Sequence, residues 1–170
     1  MVTAYIALGA NLGDRVATLQ HAITSIDALP LCSIKKTSSL FKTAPLETLP
    51  GHAPGNDYIN AVVAIRTMLS ARDLWQNTSR VEQAQGRFRS APRNSARTLD
   101  IDLLLYGNAA VTTNDLTLPH LRMHERGFVL LPLVEIAPDV AIPGQGKALD
   151  CLHRIETGNI HRLSHNSAWN

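Results

Sequence analysis

Apolar and polar residues recur along this chain with two distinct periods, and the changes of period divide it into elements. The apolar run 2–8 reads as a first strand, with the Gly9–Gly13 stretch as its closing turn. From Asp14 onward, Val16, Leu19, Ile23 and Ile26 recur at helical spacing. Asp14 is placed to cap that helix, and Pro30 lies beyond its end. The 33–42 stretch alternates loosely and predicts a strand with a basic exposed face. Residues 58–67 are apolar and β-branched and predict a buried strand. Ser70-Ala71-Arg72-Asp73 has the form of a capping box, opening a helix to about Gln85 that Gly86 is placed to end.

The next strand carries the most information. In Arg97-Thr98-Leu99-Asp100-Ile101-Asp102, followed by Leu103-Leu104-Leu105-Tyr106, apolar and acidic positions alternate with period 2. Asp100 and Asp102 therefore point to one face, their Cα atoms roughly 6.5–7 Å apart. Beyond Gly107-Asn108, a short strand is expected near 110–113. A polar cluster of His120, Arg122, His124, Glu125 and Arg126 follows, then an apolar helix over 127–135 interrupted by Pro132. The tail from Ala148 holds a short helix and an end of no assigned role. The order β-α-β, β-α-β predicts an α+β fold, a ferredoxin-like βαββαβ sandwich with an antiparallel sheet, flanking helices and a C-terminal extension. At 170 residues, one domain over 1–170 is expected.

Composition narrows the class. With 45% hydrophobic and 18% charged residues, the chain is globular rather than disordered. A net charge of +2 is too small to argue for nucleic acid. Cys32 and Cys151 lack metal-ligand spacing and are expected to be buried thiols in a reducing compartment. The apolar N-terminus has no basic leader and no run is long enough to span a membrane, so a cytoplasmic protein is expected, and since nothing in the sequence demands more, a monomer.

Basic character is local. Arg80, Arg87, Arg89, Arg93 and Arg97 fall between Thr78 and Thr98, against the single acid Glu82. Two like charges beside a core strand repel, and each makes the other harder to ionise. A divalent cation removes that cost, and hard oxygen donors suit Mg²⁺. Arginine's planar fork suits phosphate oxygens. Paired carboxylates beside a guanidinium-rich loop thus read as a metal–polyphosphate site, with room for two Mg²⁺ ions on one bridging pair. Upstream, the Pro- and Gly-rich 43–57 segment is a long loop of the kind that forms lids. Asn60, in an otherwise apolar strand, needs partners if buried, and its carboxamide suits a heterocycle with an amide-like edge. There is no Walker motif, no G-x-G-x-x-G after a strand, no CxxC and no H-E-x-x-H.

Several ordered motifs bring these residues together: Tyr5-Ile6-Ala7-Leu8-Gly9-Ala10-Asn11-Leu12-Gly13, Thr43-Ala44-Pro45-Leu46, Asp57-Tyr58-Ile59-Asn60-Ala61, Gln85-Gly86-Arg87, the Arg97–Asp102 stretch, Leu118-Pro119-His120 with Met123, and Arg126-Gly127-Phe128. From residue 2 to about 140 the chain resembles the 6-hydroxymethyl-7,8-dihydropterin pyrophosphokinases of folate biosynthesis. The resemblance implies transfer of the β,γ-pyrophosphoryl group of ATP to the pterin hydroxymethyl group, with AMP as the second product. It implies Mg²⁺, as two ions, on Asp100 and Asp102. It places Glu82, Arg87, Arg89, Arg97, Ile101, His120 and Arg126 around ATP, with Arg87, Arg97 and Arg126 joining the aspartates in catalysis. Thr43, Ala44, Leu46, Tyr58, Asn60 and Phe128 would line the pterin pocket. Three positions depart from the family's habit: Asn94 stands where a loop Trp is common, Leu121 where a Tyr often follows the histidine, and Asp115 where some members carry Arg. The residues taken alone leave two other classes open. One is a different Mg²⁺-dependent small-molecule phosphotransferase. The other is a ferredoxin-like RNA-binding module, against which 5% aromatics and no RNP-like run argue.

Overall fold

The computed structural model describes residues 1–44, 55–85 and 98–163. In chain order the elements are β1 (Val2–Ala10), α1 (Arg15–Asp27), β2 (Cys32–Thr37), β3 (Phe41–Thr43), β4 (Tyr58–Thr67), α2 (Ala71–Ala84) and β5 (Asp100–Tyr106). A small hairpin of β6 (Val111–Thr112) and β7 (Thr117–Leu118) comes next, then a 3₁₀ turn at Met123–Glu125 and α3 (Gly127–Ile136). The chain closes with β8 (Ala141–Ile142), β9 (Gly146–Lys147), α4 (Ala148–Leu152) and β10 (Ile160–Arg162).

Local chemistry explains most boundaries. Asp14 caps α1 by accepting from the Ala17 N–H, and Ser70 caps α2 by accepting from Asp73. One expected strand is in fact two. The predicted 33–42 strand breaks at Ser38-Ser39-Leu40, because the Ser38 hydroxyl donates to the Ser39 carbonyl and accepts from the Val62 N–H. A serine that bonds the backbone in this way competes with the strand ladder. Pro132 lies inside α3.

The central sheet runs β10-β3-β4-β1-β5, with β2 also on β4, and each strand pair in it is antiparallel. Both faces are covered. On one, Ile6, Leu8, Ile101 and Leu103 pack with Leu19 and Ile26 of α1 and Leu74 of α2. On the other, Val62, Ala64, Leu104 and Leu105 pack with Leu130 and Leu133 of α3 and Cys151 of α4. β4 is buried at nearly every position because it is enclosed from both sides, whereas β1 alternates. The fold is thus a mixed α/β assembly with an antiparallel sheet, as expected at that level. α3 and α4 on the second face, and β10 on the edge, extend it beyond a two-layer sandwich. Both cysteines are free. Among the described residues no helix is long and apolar enough to cross a membrane.

Leu31 has φ 62 and is 59% exposed. This left-handed conformation costs a branched residue roughly 1 kcal/mol, and asparagine tolerates it better. Leu31→Asn is expected to hold or raise stability by up to ~1 kcal/mol and Leu31→Val to lower it by a similar amount, read by urea denaturation.

Candidate active site

One end of the sheet, on the α3 side, is lined by polar groups instead of apolar ones. The strand register brings them into a row. Gly9 of β1 stands opposite Asn60 of β4 on one side and Asp100 of β5 on the other, and Ala7 stands opposite Asp102. Two strand spacings put Asn60 and Asp100 roughly 10 Å apart. Glycine suits the centre of the row, because a Cβ there would stand 3.2 Å from the Asn60 Oδ1 and press the amide aside by a few tenths of an ångström. Asn60 itself is buried, and its Nδ2 donates to the Thr43 hydroxyl at 3.0 Å. The amide is thereby oriented, with its oxygen toward Gly9. The carboxamide partner expected for Asn60 is found on β3.

Asp100 and Asp102 are half-buried while Ile101 and Leu103 between and beyond them are buried, which is the alternation read from the sequence. Irregular pairing then places His120. Tyr5 opposes Leu105 but Ile6 opposes Leu103, so Leu104 is an extra residue in β5. The Leu104 carbonyl accepts from the His120 backbone N–H at 3.0 Å. The imidazole Nε2 comes to 3.8 Å from the Asp102 Oδ2. Burial holds the His120 pKa below its ordinary 6.5, nearby Arg126 pushes the same way, and Asp102 and Asp100 oppose.

Arg126 links the 3₁₀ turn to α3, and its guanidinium lies 5.8 Å from the centre of the Phe128 ring. Two side-chain nitrogens here, His120 Nδ1 and Arg126 Nε, are buried without a hydrogen-bond partner among the described residues. Such atoms carry a desolvation cost, and an anionic ligand reaching the Arg126 Nε would offset the part that falls on the guanidinium.

A further expected residue comes from α2. Leu74, Thr78 and Glu82 form the buried stripe of α2 at i, i+4 spacing. Glu82, 5% exposed, accepts from the Ile101 N–H at 2.6 Å. It thus grips the strand between the two aspartates. The Ile101 side chain faces the α1–α2 core, on the opposite side from the carboxylates. Thr43 is buried, Tyr58 half-buried and Ala44 exposed beside the same end of the sheet. Leu46, Arg87, Arg89, Arg97 and Asn94 lie outside the described residues. Of the other departures, Leu121 is exposed, and Asp115 pairs with Arg72 at 3.9 Å.

Sequence reasoning missed Gly9 as the centre of the row. It also missed a bracket on Asp57, whose carbonyl accepts from Arg15 Nη1 at 2.7 Å and whose carboxylate pairs with Lys42 at 3.2 Å. A cavity of about 250 Å³ between the start of α2 and the β6–β7 hairpin, lined by Trp75, Val111, Thr113 and Leu116 among others, had no sequence signal either.

The 7,8-dihydro-6-hydroxymethylpterin-pyrophosphokinase family model matches residues 5–138. The chain belongs to this family. It is a diphosphokinase, a pterin pyrophosphokinase of folate biosynthesis, as the ordered motifs indicated. The 2-amino-4-hydroxy-6-hydroxymethyldihydropteridine pyrophosphokinase of Haemophilus influenzae is 46% identical over 143 residues, 84% of this chain and 86% of that protein. The protein of the same name from Bacillus subtilis is 38% identical over 137 residues, 81% and 79% of the two chains. A folic acid synthesis protein of Dictyostelium discoideum is 32% identical over 94% of this chain and 23% of its own length. Among solved structures, an HPPK-DHPS in complex with substrates superposes with a TM-score of 0.70 at 14% identity, over 95% of this chain and 47% of the other. Wild-type Plasmodium falciparum HPPK-DHPS with pterin and p-hydroxybenzoate gives 0.70 at 13%, over 95% and 46%. At such identities these structures speak for the fold, and this chain spans about half of their length.

The lowered His120 pKa has a consequence for the metal-free protein. The unfolded chain binds this proton more readily than the folded one, so the stability contribution is complete above pH 6.5 and is lost as pH falls toward the folded value. In chelator, acid-side unfolding free energy is expected to fall less steeply below that pH for His120→Gln than for the parent. Parallel curves would contradict this.

Proposed function

We propose that this pyrophosphokinase transfers the β,γ-diphosphoryl group of ATP to the hydroxymethyl oxygen of 6-hydroxymethyl-7,8-dihydropterin, with Mg²⁺ on Asp100 and Asp102. The observation that carries the reading is the row Asn60–Gly9–Asp100. A pterin presents an amide-like edge at one end of its flat ring system and the hydroxymethyl arm at the other. Asn60 suits the first, and the aspartate end suits the reacting group. Gly9 leaves the space between them free of a side chain. Thr43, Ala44, Leu46, Tyr58 and Phe128 are the further groups proposed along the ring. The core arrangement is read as ferredoxin-like, on the order and pairing of β1, β3, β4 and β5.

The carboxylate pair fits Mg²⁺ on chemical grounds. Among the described residues there is no cluster of three or more His, Cys, Asp or Glu of the kind that cages a resident metal. Mg²⁺ is commonly bound through one or two carboxylates, with substrate phosphates and water completing its shell. When bound, Mg²⁺ would offset the charge of the triphosphate and of the departing nucleotide. Two ions are proposed, and Asp100 and Asp102 are the residues that would hold them.

The protein's own groups then have distinct tasks. Glu82, through the Ile101 N–H, keeps the aspartates in register. Arg126, whose buried Nε has no acceptor among the described residues, supplies a donor to phosphate oxygens, and His120 is proposed beside them. Arg87, Arg89 and Arg97 are proposed to approach the phosphates from the neighbouring segment. As the hydroxymethyl oxygen bonds to the β-phosphorus, the bond from the β-phosphorus to the α,β-bridging oxygen breaks, AMP leaves, and the hydroxyl proton is released to solvent. The positive groups stabilise the charge that spreads over the transferred oxygens.

Asp100→Asn and Asp102→Asn keep the shape of the side chains and remove the charge. Each is expected to lower turnover by at least roughly a hundredfold, with cooperative thermal unfolding retained. Near-parental turnover in either variant with Mg²⁺ saturating would contradict the proposed metal site.

A further inference from the structure

β10 lies beyond residues 5–138, the part that carries the family pattern, yet it bears on two sides of the proposed pterin pocket. It pairs with β3, placing Ile160 opposite Thr43 and Arg162 opposite Phe41. The Leu163 N–H extends the ladder to the Leu40 carbonyl at 2.8 Å. A knot of side chains locks this edge. Arg162 Nε donates to the Ser39 hydroxyl at 2.9 Å, and its Nη2 donates to Glu135 Oε1 at 2.6 Å. Ser39 gives its backbone N–H and its hydroxyl to the two oxygens of the same carboxylate, at 2.8 and 2.6 Å. Glu135 belongs to α3 and is three-quarters buried. These are charge-assisted bonds in a partly dry setting, stronger than an open surface pair.

Ile160 also reaches the start of α3. A Cβ on Gly127 would stand 2.8 Å from the Ile160 Cδ1 and 3.3 Å from the Thr157 Cγ2. Gly127 joins Arg126 to Phe128, so Ile160 rests against the backbone that carries the Phe128 wall.

We propose that this C-terminal segment braces the pterin pocket, with Ile160 and Arg162 as positioning residues. They fix the β3 wall, where Thr43 orients the Asn60 amide, relative to the α3 wall that carries Phe128. The proposal rests on the pterin reading of that pocket. β3 has three residues and would be an open sheet edge without β10. A tilt of β3 turns the Thr43 hydroxyl, and with it the amide that faces the ring. Binding groups must be held to about half an ångström for such recognition.

The test uses the full chain and two titrations. The first adds α,β-methylene-ATP with Mg²⁺. The second adds 6-hydroxymethylpterin with that analogue saturating. Arg162→Met and Ile160→Ala are each expected to raise the pterin Kd roughly tenfold and to leave the analogue Kd within about twofold. Gly127→Ala crowds the Ile160 Cδ1, which can turn aside, and is expected to weaken pterin binding by a smaller factor, and adding Ile160→Val, which removes the Cδ1, to restore most of it. Pterin affinity at the parental level in folded Arg162→Met and Ile160→Ala would overturn the brace. So would equal weakening of both ligands, the mark of general destabilisation. If Gly127→Ala does not fold, the two single variants decide the matter. If the parent protein itself binds no pterin, the substrate reading falls, and the brace with it.

Discussion

The structure turns on the register of β5 against β1. Leu99, Ile101 and Leu103 must enter the α1–α2 core while Asp100 and Asp102 must stay out of it. In a strand, a slip of one residue exchanges the two faces. It would bury both carboxylates and expose the apolar set. The hydrophobic cost of that exchange, several side chains at about 1.5–3 kcal/mol each, is what fixes the aspartates beside Gly9 and Ala7. Glu82 adds a second restraint by holding the backbone between them. A buried carboxylate is tolerable there because it is hydrogen-bonded.

Once that register is set, the rest of the site follows from connectivity. β4 on the other side of β1 delivers Asn60 opposite Gly9, and β3 delivers Thr43 to orient it. The extra residue in β5 presents a carbonyl that positions His120 beside Asp102. α3 covers the apolar part of this face, and its first turn brings Arg126 and Phe128 toward the polar end. The two faces of one sheet thus do different work. One is core throughout, and the other is core at one end and polar site at the other.

Much of this was legible beforehand because it is local. The alternation in Asp100–Leu103, the caps at Asp14 and Ser70, and the lone Asn60 in an apolar strand each carry their meaning within a few residues. What was not legible depends on distant partners. Nothing in Ile160-His161-Arg162 announces a strand, since three residues pair only because β3, 117 or more positions earlier, offers an edge. The break at Ser38 hides in a stretch with adequate strand propensity, and only the Val62 N–H explains it. Gly9 read as a turn glycine, whereas it lies inside β1 and makes room for the Asn60 amide. Glu82 is a similar case: its spacing from Leu74 and Thr78 marks a buried stripe of α2, but only the fold reveals its backbone partner at Ile101 in β5.

The chemistry is defined by which phosphorus is attacked. A carboxylate pair with cationic neighbours serves many phosphoryl transfers, and the row from Asn60 to Asp100 sets only where the acceptor oxygen would lie. Phosphorus NMR of a reaction containing the protein, ATP, Mg²⁺ and 6-hydroxymethyl-7,8-dihydropterin reads the answer directly. The expected products are AMP and a pterin diphosphate, in equal amounts. ADP with a pterin monophosphate would contradict attack at the β-phosphorus, and with it the central claim.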